Sequence, residues 1–221
     1  GFETVAFCEI EDYPRKVLAK HWPHVQIYND VRELTSERLE ADGIGPIDLI
    51  CGGYPCQPVS HAGLRRGKDD DRYLWPEVDR IVVAIRPTWC LFENVAGHIS
   101  MGLDQVLSDL ENANYTSQTL IVPACAADAP HRRDRVWIMA HTNSASAQRR
   151  RVSSRIHAQH PDADLPGNTI GGEATLKWLS EPNVGRVAPR VPGGLDRLKA
   201  LGNAVVPKIP EMIGRAILGA T

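Results

Sequence analysis

The segment Asp48-Leu49-Ile50-Cys51-Gly52-Gly53-Tyr54-Pro55-Cys56-Gln57-Pro58-Val59-Ser60 decides the fold. Its apolar run is short and ends in two glycines, and a proline then fixes the backbone one residue before a cysteine. A run of this length bounded by Gly and Pro predicts a buried strand, residues 47–51, feeding a loop. In α/β proteins such loops, at the carboxyl ends of strands, carry the chemistry. The alternative is a core thiol, because free cysteine is among the most buried residue types. The two readings separate on whether the rest of the chain supplies partners for Cys56.

Outward from this segment, residues 4–9 (TVAFCE) predict a strand with an acid at its carboxyl end, and 12–21 a helix. Residues 25–30 predict a short strand ending in a second acid. A loop rich in Gly and charge follows over 57–72, with Gly63 and Gly67 as hinges. Residues 75–85 predict a helix with Pro76 in its first turn, where proline is tolerated. Residues 89–93 (WCLFE) read as a fourth strand and 103–112 as a helix. Two further strands, 118–122 and 135–140 (RVWIMA), are expected as antiparallel neighbours. Alternation of strands and helices over residues 1–110 predicts an α/β fold with a parallel, doubly wound sheet. Residues 141–172 are rich in Ser, Asn, Arg, His and Gly and read as an insert. Regular structure returns at 195–201 and in an amphipathic helix over 209–218, and there are no internal repeats.

At 221 residues, 43% hydrophobic and 24% charged, the chain has the composition of a globular protein able to bury a substantial core. No apolar run approaches the ~20 residues that span a bilayer. With no secretory signal, a cytoplasmic protein without membrane contact is expected. The five cysteines (Cys8, Cys51, Cys56, Cys90, Cys125) are odd in number and sit in apolar contexts, which argues for reduced thiols. Cys51, Cys56 and His61 lack the C-x-x-C or paired-His spacing of a zinc site, so no metal is expected.

Net charge is −2, yet the basic residues are clustered: Arg65-Arg66-Gly67-Lys68, Arg132-Arg133-Asp134-Arg135, and Arg149-Arg150-Arg151 with Arg155. From Arg149 to His160 there are four arginines and no acid. Such a stripe can neutralise phosphates on a molecule that is acidic as a whole, or it can be a solvated face.

Four elements suit one site. Cys56 follows a strand, and Glu93, in Phe92-Glu93-Asn94-Val95, ends the next one. His131-Arg132-Arg133-Asp134-Arg135 sets Arg133 and Arg135 two apart, on one face if the segment is extended. Gly202-Asn203-Ala204-Val205-Val206-Pro207 is a tight turn into the last helix. A thiolate needs a nearby cation or polar donors, and a carboxyl group beside it suits proton transfer to a heterocycle.

This ordered set resembles the DNA cytosine-5 methyltransferase family, of restriction-modification or phage type, over nearly the whole chain. Pro55-Cys56-Gln57 is similar to the family's catalytic loop, and Glu93-Asn94-Val95 to its glutamate motif. Arg133 and Arg135 match the arginines of the family's Gln-x-Arg-x-Arg motif, with His131 in the glutamine's place. Residues 186–207 are similar to the closing motifs, with Arg197, Gly202 and Asn203 matching.

The resemblance implies a Rossmann-like, S-adenosyl-L-methionine-dependent sheet with helices on both faces and a small irregular target-recognition insert. It divides the chain into a catalytic core (1–142), a target-recognition region (143–184) and closing motifs that return to the core (185–221). It implies that Cys56 adds to C6 of a flipped cytosine, Glu93 acts at N3 and the exocyclic amine, Arg135 contacts O2, and Arg133 supports the site. Cofactor contacts fall on Glu9, Ile10, Asp30, Val31, Pro55, Leu74, Asn203, Ala204 and Val205. Contacts to double-stranded DNA fall on Gln57, Ser60, Arg65, Arg66, Lys68, Arg149, Arg150, Arg151 and Arg155. A monomer is expected, with a cognate restriction endonuclease as the partner implied by a restriction-modification system.

The chain departs from the family in two places. The family's first motif, Phe-x-Gly-x-Gly-Gly after an initial strand, has no match; residues 4–9 resemble the family's second strand. The expectation is an N-terminally incomplete copy with a gap in its sheet and part of the cofactor pocket missing. The region between the arginine and closing motifs is also short. A catalytically inactive DNA-binding remnant and an RNA cytosine-5 methyltransferase remain the alternative readings.

Overall fold

A computed structural model describes residues 1–55, 73–142 and 204–220. The sheet is interrupted. Strands β1 (Ala6–Cys8) and β2 (Gln26–Tyr28) form a parallel pair. A separate four-stranded sheet has the order β3-β4-β6-β5, from β3 (Leu49–Gly53), β4 (Trp89–Val95), β5 (Tyr115–Pro123) and β6 (Asp134–Thr142). β3 and β4 are parallel, and β6 runs antiparallel to both β4 and β5. The expected parallel core and antiparallel pair are therefore both present, but in one mixed sheet in which β6 separates β5 from β4.

Helices α1 (Asp12–His21), α3 (Trp75–Ile85) and α5 (Leu103–Asn112) have the expected bounds. Two short helices carry no strong sequence signal: α2 (Ser36–Ala41) and α4 (His98–Met101). Thr35 caps α2, its hydroxyl accepting from Arg38 N at 3.2 Å. Pro76 sits in the first turn of α3, and Arg86 ends it in the left-handed region, at φ 56°. The last helix, α6 (Lys208–Ala220), is slightly longer than expected. Residues 141–142 belong to β6, and the rest of the expected insert, with 195–201, lies outside the described residues.

Strand alternation sorts the core into two layers. On one face Cys90, Phe92, Val136, Ile138 and Ala140 pack against Trp75 and Val82 of α3 and Leu103, Val106 and Leu110 of α5. On the other, Leu91 and Trp137 pack against Ile209, Ile213 and Ile217 of α6. Helices thus cover both faces. Each large side chain buried in this way contributes roughly 1.5–3 kcal/mol.

A third cluster joins Tyr28, Leu34 and Leu39 to Ile81, with Ala6 and Ile50 against it, so α3 is shared by the two sheets. Arg80 reinforces that contact, donating to the carbonyls of Leu34 and Val31 at 2.9 Å each. α1 buries none of its residues. Among the described residues no helix is long and apolar enough to cross a membrane.

Candidate active site

The carboxyl ends of β3 and β4 set the site. Because consecutive strand residues face opposite ways, Glu93 and Asn94 serve different sides of the sheet. Glu93 points to the α6 side, where the diagonal cross-strand position on β6 holds Arg135. The Arg135 Nε lies 2.7 Å from Glu93 Oε1, with the side chains 20% and 15% exposed. Burial pushes the Glu93 carboxyl above its usual range, against the opposing pull of the Arg135 and Arg133 charges.

Gly53 is Glu93's partner on β3, and a Cβ built there would lie 3.2 Å from Glu93 Oε2. The glycine leaves the space that the carboxylate occupies. It does so without any special backbone angle.

Asn94, 4% exposed, faces the α3–α5 side. Its Nδ2 donates to the Tyr54 carbonyl at 3.2 Å, and its Oδ1 accepts from Val95 N at 2.9 Å. One strand residue therefore ties the end of β4 to the backbone that leads into Pro55-Cys56. Tyr54 is itself buried, its ring 5.1 Å from Trp75 and 6.2 Å from Phe92.

Arg133 corrects an expectation. It precedes β6 with φ 36°, so it is not extended and does not share a strand face with Arg135. The left-handed residue, unusual for a non-glycine, turns its guanidinium to the start of the last segment, where Nη2 donates to the Ala204 carbonyl at 2.8 Å. Both arginines still act on Glu93, and Arg133 in addition tethers the residues before α6.

The two acids of the expected cofactor set are close together. Cys8 pairs with Tyr28 in register, and Glu9 N extends the ladder by donating to the Tyr28 carbonyl at 2.9 Å. Burial and then the charges of Asp30 and Glu9 push the Cys8 thiol up to about 11. Glu9 accepts from Glu11 N at 2.8 Å, and Asp30 from Arg32 N at 2.9 Å. Ile10 is exposed, Val31 opens the turn after β2, and half-buried Leu74 precedes α3. Pro55 and Ala204 are exposed, and Val205 packs partly against the Leu91–Trp137 cluster.

Cys56, Gln57, Ser60, Arg65, Arg66, Lys68, Arg149, Arg150, Arg151, Arg155 and Asn203 lie outside the described residues. Among the described residues no cluster of His, Cys, Asp or Glu could hold a metal ion. Sequence reasoning missed Gly53, Tyr54, Trp75 and His98 as site-supporting residues. The glycine doublet and the aromatic before Pro-Cys were visible signals, whereas the contacts among Tyr54, Trp75 and His98 join residues far apart in the chain.

The profile of the C-5 cytosine-specific DNA methylase family matches residues 1–183. The chain is 31% identical over 188 residues to the type II methyltransferase M.NgoMIV of Neisseria gonorrhoeae, covering 83% of this chain and 56% of that protein. It is 33% identical over 152 residues to M2.BsuMI of Bacillus subtilis, covering 63% of this chain and 36% of that protein. It therefore spans about half, or less, of the length of these relatives. A DNA N-6-adenine-methyltransferase of Escherichia phage P1 matches at 37% over 123 residues, 51% of this chain but 15% of that protein.

Among solved structures, a protein assigned as a DNA modification methyltransferase from an E. coli prophage superposes with a TM-score of 0.55 and 25% identity. The match covers 66% of this chain and 42% of that one. A Spodoptera frugiperda DNMT2 mutant shares the fold, with a TM-score of 0.53 at 22% identity over 65% of this chain and 44% of its own. With that profile matched over most of its length, the chain belongs to the C-5 cytosine-specific DNA methylase family.

Proposed function

We propose that this chain transfers a methyl group from S-adenosyl-L-methionine to C5 of cytosine in double-stranded DNA. The observation that carries the reading is the Glu93–Arg135 pair at 2.7 Å, at the end of the strand beside the one that leads into Pro55-Cys56. A cytosine offers an N3 and exocyclic amine to a carboxyl group and an O2 to a guanidinium, and these two side chains present that combination. In the free protein they form an ion pair, which a bound base would separate.

C5 of cytosine is a poor nucleophile. Addition of the Cys56 thiolate to C6 forms the S–C6 bond and moves the ring's electron pair toward C5, which then carries carbanion character. Glu93 supports this step by holding a proton at N3, and its raised pKa favours the protonated form that can donate. Arg135 binds O2, and Arg133 holds the Ala204 segment in place. Loss of the C5 proton later expels the Cys56 sulfur and restores the ring. The base must leave the duplex to reach such a site.

The residues present fit the cofactor. Carboxylates at Glu9 and Asp30, just after the paired strands β1 and β2, suit ribose hydroxyls and an adenine amine, and Ile10, Val31 and Leu74 supply apolar surface. Pro55, Asn203, Ala204 and Val205 complete the proposed set. When bound, the cofactor supplies an electrophilic methyl group. Gln57, Ser60, Arg65, Arg66 and Lys68 are assigned to DNA contacts over the catalytic loop. Arg149, Arg150, Arg151 and Arg155 are assigned to the target-recognition region at 143–184. The core at 1–142 and the closing motifs at 185–221 complete this division. A monomer acting in a bacterial or phage-infected cytoplasm, alongside a cognate restriction endonuclease, fits this assignment.

The test is transfer of labelled methyl to duplex DNA, followed by base analysis. Label on cytosine C5 supports the reading; label on adenine N6, or none, overturns it. Glu93→Gln should lower the rate about 10²-fold. Its stability should behave oppositely. A raised folded pKa means the native state binds more protons than the unfolded one above pH 4.5, the ordinary carboxyl value, so wild-type stability falls as pH rises through that window. The glutamine variant should then melt no lower than wild type at pH 7, and its relative gain should shrink below pH 4.5. Gly53→Ala should lower the rate about tenfold by displacing Glu93, a positional effect. Its melting temperature should not drop, since Gly→Ala at an ordinary backbone angle restricts the unfolded chain.

A further inference from the structure

His98 is the most completely buried polar side chain among the described residues, 1% exposed. Its Nε2 lies 2.7 Å from the Tyr54 hydroxyl, and the two rings meet edge to face at 5.4 Å. Its Nδ1 has no hydrogen-bond partner among the described residues. Burying an imidazole with one nitrogen unsatisfied is unfavourable whichever tautomer is present. A phenylalanine would occupy similar space with no such cost. Packing alone therefore does not account for a histidine here; the bond to Tyr54 does.

Tyr54 is the residue before Pro55-Cys56, and it is held at both ends. Asn94 binds its carbonyl and His98 its hydroxyl. Both partners belong to the segment that also carries Glu93: Asn94 is the next residue on β4, and His98 opens the helix just after it. The Tyr54 anchor therefore fixes the end of β3 against the same short stretch of backbone that sets the carboxylate. Trp75 closes the pocket from α3, with its indole nitrogen donating to Asp109 at 2.8 Å.

We propose that His98 is a positioning residue of the methyl-transfer site: by holding the Tyr54 hydroxyl it fixes the backbone at Tyr54–Pro55, which leads into Cys56, relative to Glu93. The inference rests on reading Cys56 as the nucleophile. Its structural part stands on the Tyr54–His98 geometry alone.

The test uses the full chain with Tyr54→Phe, His98→Phe, the double variant, and His98→Gln, whose amide nitrogen can stand near the place of Nε2. Amide hydrogen exchange over residues 49–54 reads the anchor without turnover. Both single phenylalanine variants should exchange about fivefold faster there, since a local restraint is lost. The double variant should be no worse than either single, because both remove one bond. His98→Gln should recover most of the protection.

In methyl transfer, kcat should fall about tenfold in the phenylalanine variants with KM for DNA unchanged, the pattern of lost positioning rather than lost binding. Exchange within twofold of wild type in Tyr54→Phe, additive effects in the double variant, or no recovery with glutamine would overturn the inference. Wild-type protein that methylates nothing would remove the methyltransferase reading, while the exchange results still decide whether His98 holds this segment.

Discussion

Cys56→Ala is expected to abolish methyl transfer, with a loss of at least about 10³-fold, the scale seen when a covalent nucleophile is removed. None of the four described cysteines offers the chemistry as well. Of the five thiols, Cys90 is fully buried with its pKa pushed up to about 12. Cys51 is raised by burial, and Cys8 by burial and then by the charges of Asp30 and Glu9. None of these three environments favours a thiolate, and Cys125 follows β5, which two strands separate from β3. DNA binding and melting temperature should survive the substitution, because alanine removes none of the proposed phosphate contacts and none of the core. Cys56→Ser should be nearly as inactive, since a hydroxyl is a weak nucleophile without a dedicated base. Retention of more than a tenth of the wild-type rate by Cys56→Ala would contradict the covalent mechanism.

Trp75→Ala should be the most destabilising single substitution among the described residues. Trp75 is 1% exposed, at the centre of the aromatic group formed with Tyr54 and Phe92, whose ring centroids lie 5.1 and 5.5 Å away. Removing a buried indole costs about 3–5 kcal/mol, against a total stability of roughly 5–15 kcal/mol for a domain. It also strips the Asp109 carboxylate of its indole donor, although Gln105 still donates to Asp109 at 2.8 Å. In a chain of this size the melting temperature should fall by about 10 °C. Trp75→Phe keeps the ring contacts and should lose a smaller part, near the ~1 kcal/mol of one hydrogen bond plus some packing. Chemical denaturation of the three proteins measures this order, and a Trp75→Ala loss under about 1 kcal/mol would contradict the packing described.

Legibility in the sequence followed the range of the interaction. Helices α1, α3 and α5 were readable to the residue, because Pro76 and the apolar periodicities act locally. β5 and β6 proved longer than expected. Their ends at Tyr115, Pro123, Asp134 and Thr142 are set by pairing with each other, and Thr116, Ser117, Pro123, Asp134, His141 and Thr142 break the apolar pattern that would announce the continuation. α2 escaped notice at six residues, too short for a period to declare itself.

In the site, the resemblance assigned Glu93 and Arg135 to one base, but neither their direct ion pair nor the bond from Arg133 to Ala204 was legible. Two arginines spaced by one residue suggest a shared strand face only if the chain is extended, and the positive φ at Arg133 breaks that assumption. The Tyr54–His98 bond spans 44 positions and leaves no local pattern to read. Cys56 and the basic clusters at 65–68 and 149–155 were legible as chemistry, while their placement lies outside the described residues.

Covalent capture tests the role of Cys56 most directly. The protein would be incubated with S-adenosyl-L-methionine and duplex DNA carrying 5-fluorocytosine, whose fluorine cannot leave as a proton does, so the sulfur adduct persists. The expected result is a protein–DNA species in denaturing mass spectrometry, mapped by proteolysis to the Cys56 peptide and absent from Cys56→Ala. Methyl transfer to ordinary DNA with no captured species on fluorinated DNA, or capture at a different residue, would contradict it.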